Sequence, residues 1–225
     1  MHTHTMEDIS HAFAGAFQSD RLIYRALEDN EEDKKLLYET IYLDPVNIGL
    51  ANPGLVFYPW TQRESYDNLT SMIGNCLLAV VICIKPQVDD NNVDDLASTR
   101  PKPIGYLALS NFKMKLMAHN RFTRMSIQIA AEFQNKGYGT EAITWAIDWA
   151  FTWANVHKVE LGTASYNDRA SGLYERLGFK QEGRRREVVF MNRQWYDLVE
   201  FGMLEDEWLE LKRKQKEKLP LRRSR

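Results

Sequence analysis

Cysteine is nearly absent from this chain of 225 residues; only Cys76 and Cys83 occur, both in one apolar run. Seven residues apart on a strand, they would face opposite sides about 23 Å apart, too far to bridge. No disulfide framework is therefore expected, and both read as reduced core residues of a cytoplasmic protein. No apolar run reaches the ~18 residues that a membrane span needs. The opening MHTHTMEDIS lacks the apolar centre of a secretion signal. The five histidines show no metal spacing, with His2 and His4 in the polar N-terminus, so no metal is expected. Two nucleotide signatures are missing as well: there is no GxGxxG, and no lysine and hydroxyl pair follows a glycine loop. No internal repeat is visible.

What remains is an ordinary soluble composition, 44% hydrophobic and 27% charged, long enough for one domain with extensions. The net charge of −2 hides an asymmetry. Residues 212–225 hold eight Lys or Arg against one Glu, which leaves 21 Lys or Arg against 30 Asp or Glu elsewhere. An acidic body of this kind attracts cations over long range, although plain surface charge accounts for it equally well. The basic tail reads as a solvated end, with a nuclear-targeting or nucleic-acid arm as the second reading.

Taken in order, residues 1–19 form an N-terminal extension with a short apolar contact through Phe13 and Phe17. Arg21–Glu28 alternates as a first strand. Asn30 or Asp29 caps a helix buried through Leu36, Leu37 and Ile41, which Asp44-Pro45 ends. Residues 46–60 read as irregular, and a second helix runs from Thr61 to about Met72. Cys76–Lys85 is the most strand-like run and is expected to be a central strand. Residues 86–103, rich in Asp and Pro, read as a mobile insertion before the strand Ile104–Asn111. His157–Tyr166 is a strand and residues 167–177 a helix closed by Gly178. A hairpin turns at Asn192-Arg193, and a last amphipathic helix begins near Glu205. Trp145, Trp149 and Trp153 recur every four residues, packing on the sheet or the last helix, with a homodimer face as the minor option.

The organising stretch is Phe122–Ala154. Met125, Ile127 and Ile129 alternate as on a strand, whereas Ile143, Ala146, Ile147, Ala150 and Phe151 recur with helical spacing. Between them stands Gln134-Asn135-Lys136-Gly137-Tyr138-Gly139. The first amides of a helix have no internal partner, and glycines let that backbone approach a ligand, so a phosphate or pyrophosphate is the expected guest. A lone GxG turn also serves simply to join a strand to a helix.

Gln134-x-x-Gly137-x-Gly139 after a strand resembles the acyl-CoA pyrophosphate loop of the GNAT superfamily of N-acetyltransferases. Asn167-x-x-Ala170-x-x-Leu173-Tyr174-x-x-x-Gly178-Phe179 resembles a second segment of that family. The resemblance covers roughly residues 20–208. It is closest to the branch with spermidine acetyltransferases and acetyltransferases of ribosomal-protein N-termini. It implies a single α/β domain over 20–208, a mixed and mostly antiparallel sheet flanked by helices, followed by a basic tail, 209–225. It implies acetyl-CoA as co-substrate, bound by Gln134, Lys136, Gly137, Tyr138, Gly139 and Thr140. Backbone groups of Ile127 and Ile129 would pair with the pantetheine arm, and Asn167 would hold that arm as well as cap its helix. Tyr174 would be the catalytic acid that protonates the leaving thiolate.

The expected reaction is direct acetyl transfer to a primary amine: a small amine, a polyamine or a protein N-terminus. The salt-sensitive attraction of an acidic body favours the polyamine. Glu132, or water leading to Glu39, is the candidate base. No cysteine lies near these motifs in sequence, which argues against an acyl-enzyme. The alternative is a module of the same fold that binds acyl-CoA or a partner without turnover.

Overall fold

The computed structural model describes residues 13–52, 58–86, 100–110 and 118–218, with Met6 and Ser10. Seven strands make one open sheet: β1 (Leu22–Ala26), β2 (Cys76–Ile84), β3 (Lys102–Ser110), β4 (Phe122–Ile129), β5 (Lys158–Ala164), β6 (Lys180–Met191) and β7 (Gln194–Leu204). Their order is β1-β2-β3-β4-β5-β7-β6, antiparallel throughout except for the β4–β5 pair. Cys76–Ile84 lies inside the sheet, paired with β1 on one side and β3 on the other, as expected of a central strand.

Among the described residues, six helices flank the sheet: α1 (Glu31–Lys35), α2 (Pro45–Ala51), α3 (Gln62–Asn75), α4 (Tyr138–Thr152), α5 (Asp168–Leu177) and α6 (Glu205–Lys218). Four of them start on a side-chain cap, Asn30, Asp44, Thr61 or Asn167. The first helix does not stop at Lys35 but widens into a π-helix, Leu36–Tyr42, which closes with Leu43 N–H donating to the Tyr38 carbonyl. The irregular segment expected after residue 46 begins instead with α2. Asp44 accepts from Val46 and Asn47 N–H, and Pro45 takes the first helical position, where its missing N–H costs nothing. Residues 53–57 of that segment, 87–99 of the expected insertion, the loop 111–117 and the tail 219–225 lie outside the described residues. Residues 209–218 of the expected tail continue α6.

The helices divide between the two faces of the sheet. Arg25 of β1 pairs with buried Asp33 of α1 on one face, at 2.9 and 2.5 Å. On the other, Tyr24 stacks on Trp145 of α4, with ring centroids 3.6 Å apart. Trp145 also donates to the Ala16 carbonyl, and Trp153 packs on Phe13 at 5.5 Å. The tryptophan row therefore meets β1 and the N-terminal segment. The last helix reaches α4 through Trp208, which donates to Asp148 and packs on Phe151.

Candidate active site

β4 and β5 are parallel and pair only over Phe122–Arg124 and Lys158–Glu160. Beyond Arg124 the strands separate, while β3 keeps its register with β4 through Ile129 and β7 keeps its register with β5 through Ala164. Ala130 N–H donates to the Ile104 carbonyl, towards β3. Strand hydrogen bonds alternate sides, so the N–H groups of Ile127 and Ile129 point the other way, into the gap. There they have no strand to pair with.

The gap opens towards the start of α4. Asn135 and Gly137 adopt left-handed φ of 59° and 83°, and Gly137 stands at the N-cap. Glycine offers no side chain, so α4, unlike the four helices above, begins without a side-chain cap. The first intrahelical bond runs from Glu141 N–H to the Gly137 carbonyl, leaving the amides of Tyr138, Gly139 and Thr140 without helical acceptors. A Cβ at Gly139 would meet no atom within 4 Å, so the space above these amides is open.

Two arginines brace the loop. Arg169 donates to Gln134 Oε1 at 3.0 Å and to Asn135 Oδ1 at 2.9 Å. Arg21 donates to the Lys136 carbonyl at 3.0 Å, lies 4.6 Å from the Tyr138 ring centre and pairs with Glu141 at 2.8 Å. Burial pushes the Glu141 carboxyl up, but hydrogen bonds from the Arg21 backbone, Ser19 and the Arg21 side chain outweigh it and leave it below its usual value. Gln134 Nε2 donates to the Ile129 carbonyl at 2.9 Å. Its side chain therefore ties the loop to β4 instead of reaching outward. Lys136 Nζ turns back over the Phe133 ring at 5.5 Å.

Asn167 caps α5 through Ala170 N–H at 3.2 Å, and its Nδ2 donates to the Leu50 carbonyl at 3.2 Å. Tyr166 donates to the Gly49 carbonyl alongside, so α2 is held across the gap. Tyr174 projects from α5 with its ring edge-on to Phe179 and Phe201, centroids 6.2 and 5.6 Å away. Burial raises its phenol above the usual value, so it holds its proton at neutral pH.

One cavity of about 810 Å³ joins these parts, bordered by Ile127, Ile129, Gly137, Gly139, Asn167 and Tyr174. Of the residues expected from the sequence, Gln134 and Thr140 also line it, whereas Lys136 and Tyr138 do not. Neither candidate base borders it: Glu132 is exposed on the turn Ala131–Phe133, and Glu39 is exposed and pairs with Lys35 at 3.7 Å. Cys76, distant in sequence, does border the cavity, but burial pushes its thiol up and keeps it protonated. Sequence reasoning missed the bracing role of Arg169, although it stands inside the second motif. It also missed Asn47, Arg124 and Gln128, which border the cavity with no local signal.

Residues 84–179 match the model of the acetyltransferase (GNAT) family. Over 90 residues the chain is 37% identical to a spermidine N(1)-acetyltransferase of Vibrio cholerae, covering 40% of this chain and 52% of that one. Over 102 residues it is 26% identical to a ribosomal protein uS5-alanine N-acetyltransferase of Escherichia coli K12, covering 45% and 53%. The chain thus spans about half the length of the curated relatives it matches. A solved spermidine N-acetyltransferase from Vibrio cholerae, in complex with CoA and spermine, shares the fold. Its TM-score is 0.64 at 24% identity, over 85% of this chain and 99% of that one.

Proposed function

We propose that this chain, which carries a domain of the GNAT acetyltransferase family over residues 84–179, is an N-acetyltransferase that uses acetyl-CoA directly. One observation carries the reading. The uncapped start of α4 and the β4 amides left without a strand partner among the described residues open into the same cavity as a half-buried, protonated tyrosine. The residues present suit the co-substrate: helix-start amides and a local dipole for a pyrophosphate, and a strand edge for an amide-bearing arm.

Tyr138, Gly139 and Thr140 amides would hold the phosphates, with Arg169 and Arg21 fixing the loop that presents them. Gln134 contributes by tethering that loop to Ile129. Ile127 and Ile129 N–H would pair with the arm along the gap, and a donor there is suited to charge developing on a carbonyl oxygen. Acetyl-CoA, when bound, supplies the acetyl group as a thioester. The amine nitrogen bonds to the carbonyl carbon as the C–S bond breaks, the amine's surplus proton leaves to water, and the Tyr174 O–H protonates the departing sulfur.

Two measurements test this together. Acetyl-CoA should raise the melting temperature, since it binds the folded form alone, and thiol release should require an added primary amine. A raised Tm without turnover on any amine would leave a CoA-binding module. No rise at all would remove the reading.

A further inference from the structure

The cavity has a second half, on the side of the sheet away from α4. Its floor is three cross-strand pairs of β3 and β4: Tyr106 with Gln128, Ala108 with Ser126, and Ser110 with Arg124. Asn47 of α2 borders the same space. Two polar atoms here are buried without a hydrogen-bond partner among the described residues, Gln128 Oε1 and Asn47 Nδ2, in residues only 3% and 4% exposed. Native interiors rarely leave such atoms unmatched, so one acceptor and one donor at a cavity wall point to the polar groups of a ligand.

The charges on this wall have one sign. Among the described residues bordering the cavity, the charged ones are Arg124, Arg169, Arg176 and Arg185, with no carboxylate. Arg169 is committed to the loop. Arg124 is held more loosely: its ion pair with Glu200 is 3.9 Å long, beyond hydrogen-bond reach, and its guanidinium reaches over Gly162, where a Cβ would stand 2.9 Å from it. It is also the last β4 residue paired with β5, at the narrow end of the gap. Arg124 also borders a second hollow, of about 130 Å³, with Glu160, Glu182 and Glu200; Lys158 holds Glu160 and Glu182 there at 2.9 and 2.7 Å.

We propose that the acceptor is a small primary amine carrying an anionic group, a carboxylate or a phosphate, which Arg124 binds while Asn47 and Gln128 match its neutral polar groups. The inference rests on the acetyl-transfer reading above and names the substrate class of that site. A guanidinium fork suits either anion through paired N–H donors. A polyamine would bring several positive charges against a wall whose charged side chains, among the described residues, are all arginines, which is how a site rejects the wrong partner. The acidic body steers cations only from a distance, so the chamber overrides the net charge in choosing among amines.

The test uses the full chain, saturating acetyl-CoA and paired acceptors, with thiol release as the readout. The pairs are α-amino acids with their carboxamides and O-phosphoethanolamine with ethanolamine; spermidine stands alone. The anionic member of at least one pair should exceed its neutral twin by about 10-fold or more in kcat/KM, with spermidine below it. Whether the carboxylate or the phosphate series responds identifies the anion. Arg124→Gln should raise KM for the anionic acceptor by about 10-fold and leave the neutral twin within about 2-fold. Preference for neutral twins or spermidine overturns the proposal, as does an equal loss on both twins in Arg124→Gln. If no anionic amine reacts while acetyl-CoA still raises the Tm, the acceptor class is wrong and the acetyl-CoA reading stands. If acetyl-CoA does not bind, both fall together.

Discussion

Gly139→Asp separates the needs of the fold from those of the ligand. Gly139 is the second residue of α4, its φ is not left-handed, and a Cβ there meets nothing within 4 Å. The unliganded fold therefore has no use for glycine at this place. Replacing it removes a poor helix former and puts a carboxylate in the first turn, together worth about 1 kcal/mol of added stability. For a chain of this size that is about 2–4 °C of higher Tm. With acetyl-CoA at ~100 times its Kd, the wild type should gain about 2.7 kcal/mol, or ~5–10 °C. A carboxylate ~5 Å from one phosphate charge, at an effective dielectric of ~20, opposes binding by about 3 kcal/mol, more than 100-fold in Kd. The ligand-dependent rise should then vanish in Gly139→Asp and partly survive in the uncharged Gly139→Asn. Thermal melts with and without acetyl-CoA at low salt read all of this. A retained rise in the aspartate variant would refute phosphate binding at the loop. A fall of the unliganded Tm would refute the open space above it.

Three further outcomes follow from the geometry. Tyr174→Phe keeps the ring against Phe179 and Phe201, so Tm and its acetyl-CoA shift should hold while kcat drops by ~10²-fold; wild-type turnover would make the tyrosine a packing residue. Glu141 is held below its usual value, so its contribution to stability is present above its unfolded pKa and lost as pH falls through the lower folded value. The Tm gap between wild type and Glu141→Gln should be widest near pH 6 and close towards pH 3, and a gap independent of pH would contradict this. Gly178 has φ of 97°, and a Cβ there would lie 2.5 Å from Leu211 Cδ1 of α6. Gly178→Ala should cost about 2 kcal/mol or more, ~4–8 °C, and free the last helix to proteolysis.

Signals that act over a few residues were legible in the sequence. Asn30 and Asn167 were visible as caps, Thr61 as a helix start, Gly178 as a left-handed stop and Asn192-Arg193 as a turn, because each acts on its own neighbours. The glycine loop was legible for the same reason. Asp44-Pro45 marks the end of one helix as expected, and the same pair also begins the next. The π-helix after Lys35 has no composition of its own and follows from packing. The role of Gln134 was hidden because its partner, the Ile129 carbonyl, is available only once β4 and β5 part. The acceptor chamber depends on register, Tyr106 against Gln128 and Ser110 against Arg124, across segments joined by no local pattern. Charge summed over the chain says nothing of the side chains at the cavity wall, whose charged members among the described residues are arginines.

The short β4–β5 contact also affects how the molecule opens. Three residue pairs join β1–β4 to β5–β7–β6, against seven pairs between β5 and β7. The sheet behaves as two cloths sharing one short hem, with α2 fastened across it through Tyr166 and Asn167. Such a hem is where partial unfolding begins, at a free energy below that of the whole. A guest lying along β4 and accepting from Ile127 and Ile129 would supply the missing stitches. Amide exchange at those two positions, fast in the free protein, would then slow together with that of Phe122–Arg124, which makes substrate binding and mechanical integrity the same event.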